Sequence, residues 1–357
     1  MALSSGTTAA AFVAPVLTMC VSARVVVTKA KMTKILRVGD PHVKPSNIEE
    51  SERLLSFILA KAREEKVDTI EILGDLFHTH AIVRLEVLEF WRKWLWKLSE
   101  EFLTIVLVGN HDFSGNHHSS DHALGVFVGL NPDRLHIVER SALIKGIGYL
   151  PYIHDNAKFV EEANTLAELG AKFLVSHTTY AGSKYDNGMY APDGVDPDLI
   201  DSRLEGLLSG HVHSEQLFGR VIYPGTARWD TASDANKRKG IWLFEHDPSG
   251  TLLGSGWIGT ETVCVPLISL EWREGDPAPT LPEGARVSVE LIGTSNWISQ
   301  QKGTLKGLAS IRTKVTDTKK AENRKSGNSL SEYLSNTFIS IVDRDRLVAF
   351  AKEIGLV

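Results

Sequence analysis

Residues 70–78, Ile-Glu-Ile-Leu-Gly-Asp-Leu-Phe-His, run from β-branched apolar positions directly onto Gly74-Asp75. That abrupt change of chemistry limits what the chain can fold into. A carboxylate just past the C-terminal end of a buried parallel strand sits in the crevice where open α/β sheets place their ligands. The chain repeats the device. Residues 34–39 read as a strand and end on Asp40-Pro41-His42, residues 102–108 end on Gly109-Asn110-His111-Asp112, residues 171–175 on Ser176-His177, and residues 204–209 on Gly210-His211-Val212-His213.

The segments between these strands supply crossovers. Ser46-Asn47-Ile48-Glu49 has a capping-box pattern and opens a helix with Ile48, Leu54, Leu55, Ile58 and Leu59 on one face. A second helix is expected over residues 82–101, its core stripe made by Val87, Leu88, Trp91, Trp94, Leu95 and Leu98. Trp96 falls on the opposite face among Glu89, Arg92 and Lys93, which points to a rim or subunit contact. These βαβ units imply a parallel sheet with right-handed crossovers. Further strands are expected at 136–138 and 142–150, and residues 216–223 with 241–245 read as antiparallel closure of the sheet.

Composition narrows the chemistry. The 357 residues are 43% hydrophobic and 23% charged, an ordinary globular balance, and the net charge of −5 gives no global attraction for nucleic acid. Two cysteines, Cys20 and Cys264, lack metal-ligand spacing, which fits a reducing, cytoplasmic setting and leaves metal binding to His, Asp and Asn. No stretch is suited to crossing a membrane. The strand ends collect Asp40, His42, Asp75, Asn110, His111, His177, His211 and His213. Such a thiolate-free set suits Mn²⁺ best, with Mg²⁺, Fe or Zn²⁺ as alternatives. A carboxylate shared by two ions holds them about 3.5–4 Å apart, the spacing of two-metal hydrolases, and Asp75 is the natural bridge. His122, His136 and His154 read as ordinary surface or core histidines.

The ordered motifs Asp-x-His, Gly-Asp, Gly-Asn-His-Asp, His and Gly-His-x-His resemble those of the calcineurin-like metallophosphoesterases over residues 34–245. The resemblance implies an α/β fold, a four-layer α-β-β-α sandwich. It also implies that Asp40, His42, Asp75 and His213 hold one metal and that Asp75, Asn110, His177 and His211 hold the other. His111 would act on the phosphate as electrophile or general acid, its imidazole oriented by Asp112. Gly-Asp-Leu-Phe-His, with Tyr223-Pro224-Gly225-Thr226-Ala227-Arg228-Trp229 and Lys237-Arg238-Lys239-Gly240-Ile241-Trp242, is similar to the SbcD-type double-strand-break repair nucleases of bacteria, archaea and phages. There His78 would lie over the substrate phosphate.

This resemblance implies a Mn²⁺-dependent DNA exonuclease or endonuclease, a homodimer through helices 82–101 and 121–130, working with an SbcC-type ATPase. The alternative is a phosphodiesterase or phosphatase for nucleotides or other small phosphate esters. The expected organisation is residues 1–32 as a disordered extension or an upstream start, 33–260 as the catalytic domain, 261–328 as a small α/β cap with a basic, DNA-tracking stretch at 302–325, and 329–357 as closing helices that dock on the ATPase.

Overall fold

The protein is described here as a computed structural model covering residues 25–26, 32–80, 82–115, 121–185 and 188–316. From the N-terminus these form β1 (Val25–Val26), β2 (Thr33–Val38), α1 (Ile48–Glu64), β3 (Thr69–Ile72), α2 (Leu85–Glu101), β4 (Leu103–Leu107) and β5 (Leu135–Val138). There follow β6 (Ala142–Ile144), β7 (Ile147–Leu150), α3 (Asn156–Glu168), β8 (Phe173–His177), β9 (Gly206–Gly210), β10 (Gln216–Phe218), β11 (Val221–Tyr223), β12 (Gly240–His246) and β13 (Leu252–Gly259).

Two sheets result. One has the order β13-β12-β2-β3-β4-β5, parallel from β2 to β5. The other has the order β1-β6-β7-β8-β9-β11-β10, parallel from β7 through β8 and β9 to β11. Because each parallel strand is covered on both faces, its side chains are apolar on both. Leu36, Ile70, Ile72 and Val106 pack under α1 and α2, while Leu174 and Leu207 pack under α3 with Phe159, Ala163 and Leu166. Ile35, Ile105, Leu107, Phe173, Val175 and Leu208 fill the space where the sheets face each other. The order is helix, sheet, sheet, helix, the four-layer sandwich expected.

One polar group lies in that central layer. Buried Arg37 donates from Nε to Glu71 at 2.6 Å, Tyr149 of the opposite sheet donates its hydroxyl to the same carboxylate, and Arg37 Nη1 lies 3.0 Å from His246 Nε2. Burial, then the Arg37 charge, push His246 down to about 3, so its ring is neutral.

The contacts divide the described chain into two units, one reaching Ile268 and including Glu283–Arg286, the other built from Ser269–Pro282 and the residues from Val287 onward. The expected junction was 260/261. Cys264 and Leu267 instead pack in the first unit's core, and Thr260 donates its hydroxyl to the Ala227 carbonyl. The second unit's sheet has the order β14 (Leu267–Arg273), β15 (Arg286–Gly293), β16 (Ser310–Val315), with α4 (Ser295–Thr304) between the parallel β15 and β16.

Several local expectations are corrected. The 142–150 strand is a hairpin, because Lys145 and Gly146 adopt φ of 52° and 76° and turn the chain back. Residues 216–223 and 241–245 do not close one sheet. The former is a hairpin on the second sheet, whereas β12 pairs with β2 in the first. α2 begins at Leu85 rather than residue 82, and residues 121–130 hold only a 3-10 turn, Ala123–Phe127. The capping box at residue 46 is not formed: a 3-10 turn occupies Pro45–Asn47, and α1 starts without a side-chain cap. Helix α3 was not anticipated, although Asp155 caps it through Lys158 N–H. Residues 1–24 and 27–31, residues 317–325 of the basic stretch and the closing helices lie outside the described residues.

Candidate metal centre

The strand ends converge because β2, β3, β4, β8 and β9 all point their C-termini to one edge, three from one sheet and two from the other. Backbone pairing joins the first two loops, His42 N–H to Asp75 O at 3.0 Å and Val43 N–H to Leu76 O at 2.9 Å. Asp40, His42, Asp75 and His211 are non-glycine residues with φ of 25°, 43°, 52° and 78°. Left-handed backbone is costly there and persists only where the surroundings enforce it. At His211 it has a visible consequence, since it breaks the extended geometry that would line His211 and His213 up on one face, and the two rings turn to different partners, His211 to Asn110 and His213 to His42.

The side chains form two sets around Asp75. Oδ2 of Asp75 lies 3.6 Å from His42 Nε2, which faces His213 Nε2 at 3.1 Å. Oδ1 lies 3.4 Å from His177 Nε2, and Asn110 Oδ1 sits 3.0 Å from that nitrogen and 2.7 Å from His211 Nδ1. Ligand atoms of Asp40, His42 and His213 cluster within 4.8 Å, as do those of Asp75, His177 and His211. His111 Nδ1 is 2.9 Å from the His78 carbonyl, and its backbone N–H donates to Asp75 Oδ1 at 2.8 Å.

These residues fit divalent cations on their own geometry. His177 Nδ1 lies 2.6 Å from the Leu73 carbonyl, an acceptor only, so Nδ1 carries hydrogen. In the neutral ring, the Nε2 lone pair then points at two oxygens. Asp40 Oδ1 is buried without a hydrogen-bond partner. Lone pairs, carboxylates and carboxamide oxygens facing one another in a buried space call for positive charge between them. The titration behaviour of the metal-free protein agrees. Burial opposes the His177 charge, but Asp75 and Asp40 outweigh it and push the ring up to about 10. Burial pushes His42 and His211 down to about 3. For Asp75, burial is outweighed by His177 and His42, which hold it ionised.

The role expected of Asp112 is not what the geometry gives. Its Oδ1 and Oδ2 accept the backbone N–H groups of Phe77 and Gly109 at 3.2 and 2.9 Å, so it ties two loops together, and the His111 ring is oriented by the His78 carbonyl instead. Burial, then the charge of Asp75, push the Asp112 carboxyl up to about 8.

Six residues not singled out for a role in the sequence complete the site. His80 stacks on His111 at 4.2 Å, and Tyr152 lies 6.2 Å from the His211 ring at the end of β7. Buried Arg228 donates to the carbonyls of Pro41 and His42, each at 3.0 Å, and Asn47 also donates to His42 O. Buried Lys239 donates to His213 O at 2.8 Å and is paired with Asp234. Asp230 accepts from Arg228 and Lys44, each at 2.9 Å. Arg228 and Lys239 stand in residues 223–229 and 237–242, and their burial under the ligand loops has no sequence signature.

Two mixed sheets that set one carboxylate between two imidazole groups fit the site of a metal-dependent phosphoester hydrolase. Residues 33–215, just over half of the chain, match the calcineurin-like phosphoesterase family, and the chain belongs to it. Over 225 residues it is 27% identical to 244L of Invertebrate iridescent virus 6, a protein named as a phosphoesterase, covering 60% of this chain and 77% of that one. Over 230 residues it is 24% identical to Exonuclease subunit 1 of Enterobacteria phage T4, covering 61% of this chain and 66%, just under two thirds, of the phage protein. Among solved structures, TT1561 of Thermus thermophilus is similar with a TM-score of 0.39 and 17% identity, covering 64% of this chain and 99% of that one. Among the described residues no helix is long and apolar enough to cross a membrane.

Proposed function

We propose that the chain hydrolyses DNA phosphodiester bonds with two divalent cations, Mn²⁺ foremost, held by Asp40, His42, Asp75 and His213 and by Asp75, Asn110, His177 and His211. The observation that carries this reading is Asp75, whose two oxygens each face a different imidazole set. When bound, the cations supply Lewis acidity at the phosphoryl oxygens and a nucleophile from water near neutral pH. The protein's own part is positioning and proton transfer. His111, fixed through Nδ1 by the His78 carbonyl, presents Nε2 to hand a proton to the departing oxygen. His78, at the rim of the site, orients the phosphate.

DNA as substrate is favoured by the relative named as an exonuclease subunit and by the similarity of residues 74–78, 223–229 and 237–242 to the SbcD-type nucleases. On the same grounds we propose an SbcC-type ATPase partner and a homodimer. Exposed Ile82, Leu85, Trp96, Val126 and Val128 support self-association. Trp96→Glu is expected to lower the sedimentation-equilibrium mass, and an unchanged mass would retire the dimer.

The deciding experiment supplies Mn²⁺ to the chelated protein. End-labelled single- and double-stranded DNA are offered with and without the ATPase, beside a nucleotide monoester and a cyclic nucleotide. Shortened DNA that disappears with Asp75→Asn supports the nuclease. Hydrolysis of the small esters with intact DNA moves the function to the small-phosphate alternative.

A further inference from the structure

His78 and Asp230 meet in an arrangement that neither the family motifs nor the metal sets account for. Nδ1 of His78 is buried and has no hydrogen-bond partner, and Oδ2 of Asp230 is buried and has none. The two atoms lie 3.4 Å apart, with the Asp230 side chain 5% exposed and the His78 side chain 36% exposed. Orphaned buried polar atoms are uncommon because each forfeits its hydration. Two that face each other form a hydrogen bond not yet closed.

The other bonds of Asp230 explain why Oδ2 is reserved. Oδ1 already accepts from Lys44 Nζ and Arg228 Nη2, each at 2.9 Å. The Asp230 backbone N–H donates to Asp234 Oδ2 at 3.0 Å. Arg228 in turn grips Pro41 O, His42 O and the Glu50 carboxylate. The carboxylate is therefore held rigidly by the same guanidinium that anchors the His42 loop. The His78 side chain is the more exposed partner, and it follows Phe77, whose N–H is tied to Asp112.

We propose that Asp230 is a positioning residue for His78, closing an Nδ1–H to Oδ2 hydrogen bond when a substrate phosphate occupies the site, so that Nε2 is turned toward that phosphate. Contacts of this kind are commonly long in the ligand-free enzyme and tighten on substrate binding. The inference rests on the reading of His78 as a phosphate-contacting residue, and it adds to that reading the group that sets its tautomer and direction.

The test is a double-mutant cycle on the full chain loaded with Mn²⁺, using bis(p-nitrophenyl) phosphate and end-labelled duplex DNA, with Asp230→Asn, His78→Ala and the double variant. Losing a supporting partner of this type typically costs about 10–100-fold. We expect Asp230→Asn to lower kcat over that range with Mn²⁺ affinity unchanged, and to have no further effect in the His78→Ala background. In ¹⁵N-histidine NMR of the metal-free wild type with inorganic phosphate, the His78 Nδ1 proton should be protected and shifted downfield, and Asp230→Asn should remove that signal.

An equal loss from Asp230→Asn with and without His78 would overturn the inference, showing that Asp230 acts only through Arg228 and the His42 loop. Full activity of Asp230→Asn beside a slow His78→Ala would also overturn it while leaving the role of His78 intact. Full activity of His78→Ala would remove both.

Discussion

His177 shows how one side chain reports on the whole centre. In the metal-free protein its ring is pushed up to about 10, while His42 and His211 are held near 3. At pH 8 His177 is therefore protonated and must lose that proton to become a ligand. Mn²⁺ uptake should release about one proton, and affinity should rise about tenfold per pH unit until about pH 10. Calorimetry in two buffers of different ionisation enthalpy checks this, and His177→Gln should abolish the release. The two depressed rings work in the opposite direction on stability. Their contribution is full above the unfolded value of 6.5 and is lost as pH falls toward 3, so the metal-free midpoint of denaturation should drop over that window. Asp112 and His111, adjacent in sequence, separate by function. Asp112→Asn places an amide N–H₂ against a backbone donor and should cost about 1–3 kcal/mol in urea unfolding, whereas His111→Ala should keep stability and metal while losing hydrolysis. The proximity of Asp112 to His111 was legible; that its oxygens turn to Phe77 and Gly109 was not, because a carboxylate's partner is chosen by loop geometry.

Among the elements, the loops after the strands carry the most specific demands. A Cβ on Gly109 would lie 2.3 Å from Asp75 Oδ1 and 2.4 Å from the Asp75 nitrogen, and one on Gly74 would lie 2.4 Å from His177 Nδ1, at a φ of 103°. The glycine in each motif is thus required by close backbone approach to a ligand, and not only by the turn. Gly109→Ala should leave the circular dichroism unchanged and weaken Mn²⁺ binding about 10–100-fold, as displaced supporting groups do; unchanged calorimetric affinity would contradict the packing argument. The strands and α1 and α2 were readable because their apolar periodicity is dense. Helix α3 has a weak sequence signal although Phe159, Ala163 and Leu166 mark one face, because Asn, Thr and Glu dilute the pattern. The hairpin at Lys145-Gly146 divides residues 142–150, whose apolar residues on either side of the turn read as one strand.

For the molecule as a whole, the Arg37, Glu71, Tyr149 and His246 group links the two sheets below the site. Glu71→Ala strands a buried guanidinium and should destabilise by about 3–5 kcal/mol, whereas Arg37→Met with Glu71→Leu should cost much less. Equilibrium denaturation of both variants distinguishes a structural ion pair from a dispensable one. The sequence by itself determined the strand ends, their Asp, His and Asn residues and hence the kind of chemistry, because strand periodicity and donor type are local properties. Only the tertiary structure decided which imidazoles share Asp75, which buried cations hold the ligand loops, and which sheet each late strand joins. Those outcomes depend on how two sheets face each other, and residues such as Arg228 and His42, far apart in sequence, acquire their relation only when that packing brings them together.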